Sequence, residues 1–359
     1  MKISLLTCLA FLASCDASSH QRKLVLYTDT PESLTLKLTD IFEKKYGIEV
    51  EEVMEGTSWL MTRLRAERAR PIADVFMGAS GTVPGVLGAR EGIFFPYTPI
   101  AAQAWPWKQG KLQLRDKDWK WFAFAFASLG LVYSSAAVAA LELPPTWESL
   151  AEPRWRGQLT MWDPSVSGTS TLFLVSSLER AINHGLGEEG GWKFLSGFYH
   201  NLKKYSEGGP PLLDVAHGVV RMGLHLDNQF LYYRQKSGPT GASVSFYLPP
   251  ESPVLSDPAA LVAGAPHPAE ARLFLTFLLS EEAQRILGTT FWVRDASGRV
   301  HLPTGHPYGD KAKEAKKVGG KKQDTVARGL METALEMDFE RMAAGFDRAR
   351  IHWQNHIEE

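Results

Sequence analysis

The run Asp163-Pro164-Ser165-Val166-Ser167-Gly168-Thr169-Ser170 gathers the groups that hold a small anion. Ser and Thr oxygens sit at a helix start, where the first backbone N–H groups have no partner within the helix and the dipole favours negative charge. Gly168 removes the side chain that would obstruct a ligand approaching the backbone. An ordinary capping turn uses the same residue types, so this run alone reads equally as a cap or as a ligand site. The pattern recurs at Gly56-Thr57-Ser58 and at Gly78-Ala79-Ser80-Gly81. Each opening follows a segment of strand composition, and open α/β sheets bind ligands outside the carboxyl ends of their strands. The first such segment ends at Thr28-Asp29-Thr30-Pro31, polar and turn-forming. Together these openings predict a cleft lined by hydroxyls and backbone amides.

Catalysis has little to work with. There is no Gly-x-Ser-x-Gly elbow, no His-Glu-x-x-His pair, no Gly-x-Gly-x-x-Gly and no Walker loop. The ten histidines are scattered, and His225 within Gly223-Leu224-His225-Leu226-Asp227 reads as a strand residue. Asp227, at the end of that strand, is placed to face the cleft. Tyr232-Tyr233 is a second candidate. Paired phenolates bind a hard trivalent cation, although adjacent aromatics are more often packing residues.

The elements that must position these groups follow from periodicity. Residues 23–27 and 48–54 have strand character, with helical apolar spacing between them at Leu34, Leu38, Ile41 and Phe42 and a stop at Gly47. A helix opens at Gly56 and closes before Pro71, and residues 74–77 form a third short strand. Strand, helix, strand, helix, strand implies a parallel sheet with covering helices. Further strands are expected at 158–162 and 219–226, buried strands within 119–133, and a return crossover within 238–250. An amphipathic helix is expected over 268–287. Leu335, Phe339, Met342, Phe346, Ala349 and Trp353 form one face of a terminal helix that packs on the body.

Composition bounds the class. A chain of 359 residues exceeds what one compact core usually holds, so two lobes are the default. With 39 basic and 40 acidic residues, nothing supports nucleic-acid binding. Met1-Lys2 and the short apolar run from Ile3 to Leu12 read as a processed export signal, too short to span a bilayer. Leu12-Ala13-Ser14-Cys15 resembles the bacterial lipobox, which makes Cys15 an acylated mature N-terminus; Asp16 after it resembles an inner-membrane retention signal. The only other cysteine, Cys8, lies in the segment removed, so no internal disulfide and no cysteine metal site can form.

Several ordered blocks resemble the periplasmic solute-binding proteins of ABC importers, in the ferric-iron and phospho-compound branch of the two-lobed type II class. They are Phe42 to Val50, Gly56 to Glu67 with Ala73 to Gly78, Thr146 to Leu150 with Pro153 to Gly157, the Asp163 to Ser170 loop, Phe274 to Gln284, and Met337 to Trp353. The resemblance implies an α/β fold of two lobes, each a mixed sheet flanked by helices, closing on a ligand and docking on a permease with its ATPase. Iron-binding members place adjacent tyrosines directly after the strand corresponding to 219–226. Here Asp227-Asn228-Gln229 stands there and Tyr232-Tyr233 come later, which favours a phosphorylated or phosphonate-like ligand over ferric iron.

The expected organisation is a signal peptide over 1–14, a lipidated tether over 15–22, a first lobe over 23–124 and 251–302, and a second over 125–250. A charged expansion over 303–334, lysine-rich at 311–322, and a terminal helix over 335–359 complete it. The expected ligand set is Thr28, Asp29, Thr57, Ser58 and Ser80 from one lobe and Ser167, Gly168, Thr169, Ser170 and Asp227 from the other. No cofactor, no catalysis and a monomer are expected. A ferric-binding protein using Tyr232 and Tyr233, and a surface lipoprotein or secreted enzyme on the same fold, stand as alternatives.

Overall fold

The computed structural model describes residues 22–357 apart from 208, 237, 239–242, 296–298, 304–305, 307 and 309–322. The signal segment, Cys15, almost all of the tether and the lysine-rich run therefore lie outside the described residues. Strand β1 (Lys23–Thr28) is buried along nearly its whole length, as a parallel strand covered on both faces must be. It pairs in parallel with β2 (Glu49–Met54) and β3 (Val75–Met77). Helix α1 (Glu32–Tyr46) follows β1, α2 (Thr57–Ala66) follows β2 and α3 (Thr82–Arg90) follows β3. Gly47 ends α1 at φ 64°, a left-handed cap that a side chain resists. Because the three strands run in one direction, Asp29, Gly56 and the Ala79-Ser80 turn gather at one edge.

Short strands β4 (Phe94–Phe95), β5 (Lys108–Gln109) and β6 (Leu112–Gln113) lead into β7 (Phe122–Ser134), which carries the chain between lobes. Up to Ser128, β7 pairs antiparallel with β12 (Val254–Val262). From Leu129 it pairs antiparallel with β10 (Met222–Leu226) and β11 (Val244–Tyr247). Beyond β10 lie β8 (Leu159–Met161) and β9 (Leu202–Tyr205), both parallel. The sheet order is β2-β1-β3-β12-β7-β10-β8-β9, with β4 and β11 pairing off that path. The partner change along β7 marks the passage from one lobe to the other, and β12 brings the chain back.

The second lobe is covered by α4 (Gly168–Asn183), α5 (Gly187–Asn201), α6 (Pro211–Ala216) and α7 (Asp227–Lys236). After β12 come α8 (Pro268–Leu278) and α9 (Glu281–Leu287). The spacing predicts one helix here. Ser280 divides it, because its hydroxyl accepts the Ala283 N–H and caps α9 afresh. A hairpin of β13 (Val293–Arg294) and β14 (Val300–His301), then α10 (Gln323–Thr333) and α11 (Phe339–His356), complete the described chain. Helix α11 starts later than the stripe suggests, since Asp338 caps it by accepting the Arg341 N–H at 3.1 Å. Its apolar face is buried, and it rests on α3 of the first lobe and α4 of the second. Arg341 grips the buried Glu179 of α4, while Asp347 pairs with Arg65 at 3.3 Å. No helix among the described residues is long and apolar enough to cross a membrane.

Candidate functional site

The two lobes enclose a cleft of about 470 Å³ at the edge where the first-lobe strands end. Thr28, Asp29, Thr57 and Ser80 line it from one side, and Ser167, Gly168 and Thr169 from the other. The lobes meet closely. A Cβ built on Gly168 would lie 2.8 Å from Thr57 Oγ1 and 3.1 Å from Ser80 Cβ, so only glycine lets these walls approach. Gly56 plays the same part opposite the Val166 carbonyl, 2.8 Å from where its Cβ would stand.

Asp29 organises the floor. Its carboxylate accepts the hydroxyls of Thr57 and Ser80, the latter at 2.6 Å, and the N–H of Ala79. Burial raises its pKa, partly offset by those hydrogen bonds. The Gly81 N–H donates to Asp257 at 3.0 Å. Burial, then the Asp29 charge, holds the Asp257 carboxyl well above the usual range, and its second oxygen has no partner. The Gly78 to Gly81 opening, expected to receive a ligand, is thus occupied by the protein's own acids. Likewise the Thr57 and Ser80 hydroxyls are donated inward, to Asp29.

Three other expected ligand residues do not line the cleft. Ser58 points away, its hydroxyl buried and unpartnered. Ser170 is fully buried and donates to the Trp162 carbonyl at 2.7 Å. Asp227 is buried at the root of α7, where its carboxylate accepts the Ser128 N–H at 2.9 Å, the Ser128 hydroxyl, the Trp292 indole N–H at 2.7 Å and the Asn228 N–H at 2.7 Å. His306 Nε2 is 3.2 Å away. With its lone pairs so occupied, Asp227 ties strands together and has nothing left for a solute.

What remains open to a ligand is a different set of donors. The N–H groups of Thr57 and Ser58 at the start of α2, and of Gly168 and Thr169 at the start of α4, bond to no protein acceptor among the described residues. Thr30, only 3% exposed, lines the cleft with its hydroxyl unpartnered. The Thr169 side chain has no protein hydrogen bond among the described residues. Sequence reasoning missed Thr30, Glu32, Glu55, Trp162 and Gln229, which also line the space. Of the tyrosine pair, Tyr233 faces the cleft. Tyr232 lines the neighbouring groove, where its oxygen accepts the Ser33 hydroxyl at 3.2 Å. The two phenols therefore diverge, and burial raises the pKa of Tyr233, the direction opposite to phenolate formation. Among the described residues no cluster of three or more His, Cys, Asp or Glu is placed to hold a metal ion.

Behind Trp162 and Tyr233 lies His225, fully buried, with Nδ1 3.0 Å from the Leu226 carbonyl and Nε2 unpartnered. Burial pushes its pKa down to about 4. An unfolded histidine titrates near 6.5, so the folded state binds fewer protons below that value. The neutral ring's contribution is complete above pH ~6.5 and is lost as pH falls toward ~4. Between pH 7 and pH 5 this amounts to about 2 kcal/mol, at ~1.4 kcal/mol per unit. Urea unfolding at both pH values should show His225→Leu losing about that much less stability than the wild type; an equal loss in both proteins would refute the assignment.

Residues 70–293 match the bacterial extracellular solute-binding proteins as a family. The chain belongs to that family. This solute-binding protein is 26% identical to the Fe(3+)-binding periplasmic protein of Serratia marcescens, over 80% of its own length and 85% of the relative's. It is 27% identical to the phosphoglycerate transport regulatory protein PgtC of Salmonella typhimurium, over 76% of its own length and 65% of the relative's. Its fold resembles that of the periplasmic binding protein AfuA from Actinobacillus pleuropneumoniae, solved with fructose-6-phosphate bound. That match has a TM-score of 0.72 at 19% identity, over 94% of this chain and 99% of the other. The two-lobed α/β architecture and the place of this protein as the extracytoplasmic solute-binding component of an ABC importer follow from this membership.

Proposed function

We propose that this solute-binding protein is anchored through an acylated Cys15 and captures a small solute by an anionic phosphoryl or phosphonate group. One observation carries the reading: the open first turns of α2 and α4, from opposite lobes, face one cleft in which the Thr30 hydroxyl is buried without a partner. Free N–H groups at helix starts are the backbone's natural anion ligands. The relatives named for phosphoglycerate and solved with a sugar phosphate support the same chemistry. The relative named for ferric iron is matched by no convergent pair of phenols here.

The reading is of a receptor, not a catalyst, binding without a cofactor and acting as a monomer with the permease and its ATPase. Among the described residues, the cleft lining offers no histidine, cysteine or lysine to attack a substrate or shuttle a proton. Closure joins donors from both lobes, and the closed form is what a permease can distinguish.

A thermal-shift screen of the detergent-extracted protein tests the ligand class, using phosphate esters, phosphonates, ferric citrate and thiamine. Phosphoryl or phosphonate compounds should raise the midpoint, since ligand at 100 times Kd adds about 2.7 kcal/mol. A shift with ferric citrate alone would remove the proposal. In the same cells, labelled palmitate should enter the wild type and not Cys15→Ala.

A further inference from the structure

We propose that the groove beside the cleft is a second anion site, at which a small dianion joins the two lobes and favours their closed arrangement. The site stands apart from whatever the cleft itself holds. The groove has a volume of about 380 Å³. Ser33 and Lys37 of α1 and Thr290, just after α9, line it from the first lobe. Tyr232 and Lys236 of α7 line it from the second. Its charge is the reverse of the cleft's. Among the described residues no carboxylate lines it, whereas Glu32 and Glu55 line the cleft, which has no lysine.

Two independent observations point to a ligand here. The first is unmet positive charge. Lys37 and Lys236 are exposed, and neither has an ion pair or a hydrogen bond among the described residues. Asp40, three residues on from Lys37, pairs with Lys44 at 2.7 Å instead. The Lys236 ammonium lies 5.8 Å from the centre of the Tyr232 ring. The second is an unmet hydroxyl. Thr290 is only 3% exposed, and its Oγ1 has no protein partner. Its neighbour Thr289 donates to the Ile286 carbonyl at 2.8 Å, so the lack belongs to Thr290 itself. A buried donor left unmatched is costly, and an anion in the groove matches it. Tyr232 adds a third donor: its oxygen accepts the Ser33 hydroxyl at 3.2 Å, which leaves the phenol proton to be donated.

The placement of the lysines on different lobes gives the anion a consequence. Lys37 and Lys236 border one groove only while the lobes are together, and two ammonium groups brought to one groove repel each other. Unoccupied, the groove therefore opposes closure. A dianion reverses the sign, because it supplies a counter-charge to each lysine and can touch both only in the closed arrangement. A ligand shifts a conformational equilibrium by its difference in affinity for the two states, and here that difference favours closure. A monoanion satisfies one lysine and leaves the other unbalanced, so the number of charges separates the two kinds of ligand. The hydrogen bond from Ser33 to Tyr232 already crosses between the lobes at this place, and the anion reinforces the same junction.

Titration calorimetry on the detergent-extracted full-length protein tests this with sodium sulfate, sodium succinate and sodium acetate, the ionic strength held constant with sodium chloride. Sulfate or succinate should bind about tenfold more tightly than acetate, and the better of the two reports how far apart the charges are held. Lys37→Gln and Lys236→Gln, at exposed residues without ion pairs, should fold normally and each weaken that dianion about tenfold. Thr30→Val, which alters the cleft and leaves the groove intact, should bind it as the wild type does. Small-angle scattering should show the wild type contracting on addition of the dianion and Lys236→Gln failing to do so. Equal affinity for acetate, or no binding of either dianion, would overturn the site. Binding that survives both lysine substitutions and falls in Thr30→Val would place the anion in the cleft and overturn it equally. Binding in the groove without contraction would overturn the link to closure.

Discussion

Gly168→Val is expected to yield a folded protein that binds its solute about a hundredfold more weakly than the wild type. The reason is that the substitution acts on one arrangement of the lobes only. Gly168 opens α4 in the second lobe, and the atoms its Cβ would meet, Thr57 Oγ1 at 2.8 Å and Ser80 Cβ at 3.1 Å, belong to the first. Within its own lobe the residue opens a helix, where valine is no worse a helix former than glycine. Across the gap, overpacking costs about 3 kcal/mol. A penalty confined to the closed form subtracts directly from affinity, and ~1.4 kcal/mol is a factor of ten. Gly56→Ala should show the same loss in weaker form, since its Cβ would stand 2.8 Å from the Val166 carbonyl. Titration calorimetry with the compound giving the largest thermal shift measures the loss, and small-angle scattering should show that Gly168→Val no longer contracts on adding it. Wild-type affinity and contraction in Gly168→Val would mean that these walls need not approach for binding.

Much of this arrangement is legible from residues alone, and the failures have physical causes. Strand-then-polar-turn patterns place Asp29, Gly56 and Ser167-Gly168 at the cleft because parallel strands must end at one edge. Phase is harder to read. In a helix each residue turns by about 100°, so Thr57 and Thr169 face the solute while Ser58 and Ser170, one step on, turn into the protein. Direction of donation is harder still. The Thr57 and Ser80 hydroxyls look available in the sequence, and only their closeness to Asp29 shows that a carboxylate already holds them. The acidity of the walls is hidden because a formal charge of −1 for the chain says nothing about which charges face inward. Glu55 and Trp162 are ordinary residues beside recognisable motifs, and no local pattern marks them as lining.

Asp227 shows the same ambiguity with the largest consequence for stability. A strand-end aspartate looks alike whether it faces a ligand or the interior, and here it is interior. It sits where β7 changes partners, accepting from both the backbone and the side chain of Ser128, the last residue of β7 paired to β12. It also holds the Trp292 indole, and Trp292 exchanges two backbone hydrogen bonds with Phe126 of the same strand. One buried carboxylate thus fixes the crossing strand, the start of α7 and the segment after α9. Asp227→Ala should leave these donors buried and without their acceptor, at roughly 3–5 kcal/mol in total. The melting midpoint should fall by roughly 4–7 °C. Asp227→Asn keeps the shape but turns an NH2 group toward other donors, so it should fall between wild type and alanine. Urea unfolding gives the order, and calorimetry on Asp227→Asn at low temperature, where it remains folded, should show solute affinity within about threefold of wild type. If Asp227→Asn instead kept its stability and lost binding, the residue would be a ligand contact after all, and the cleft would extend to the hinge strands.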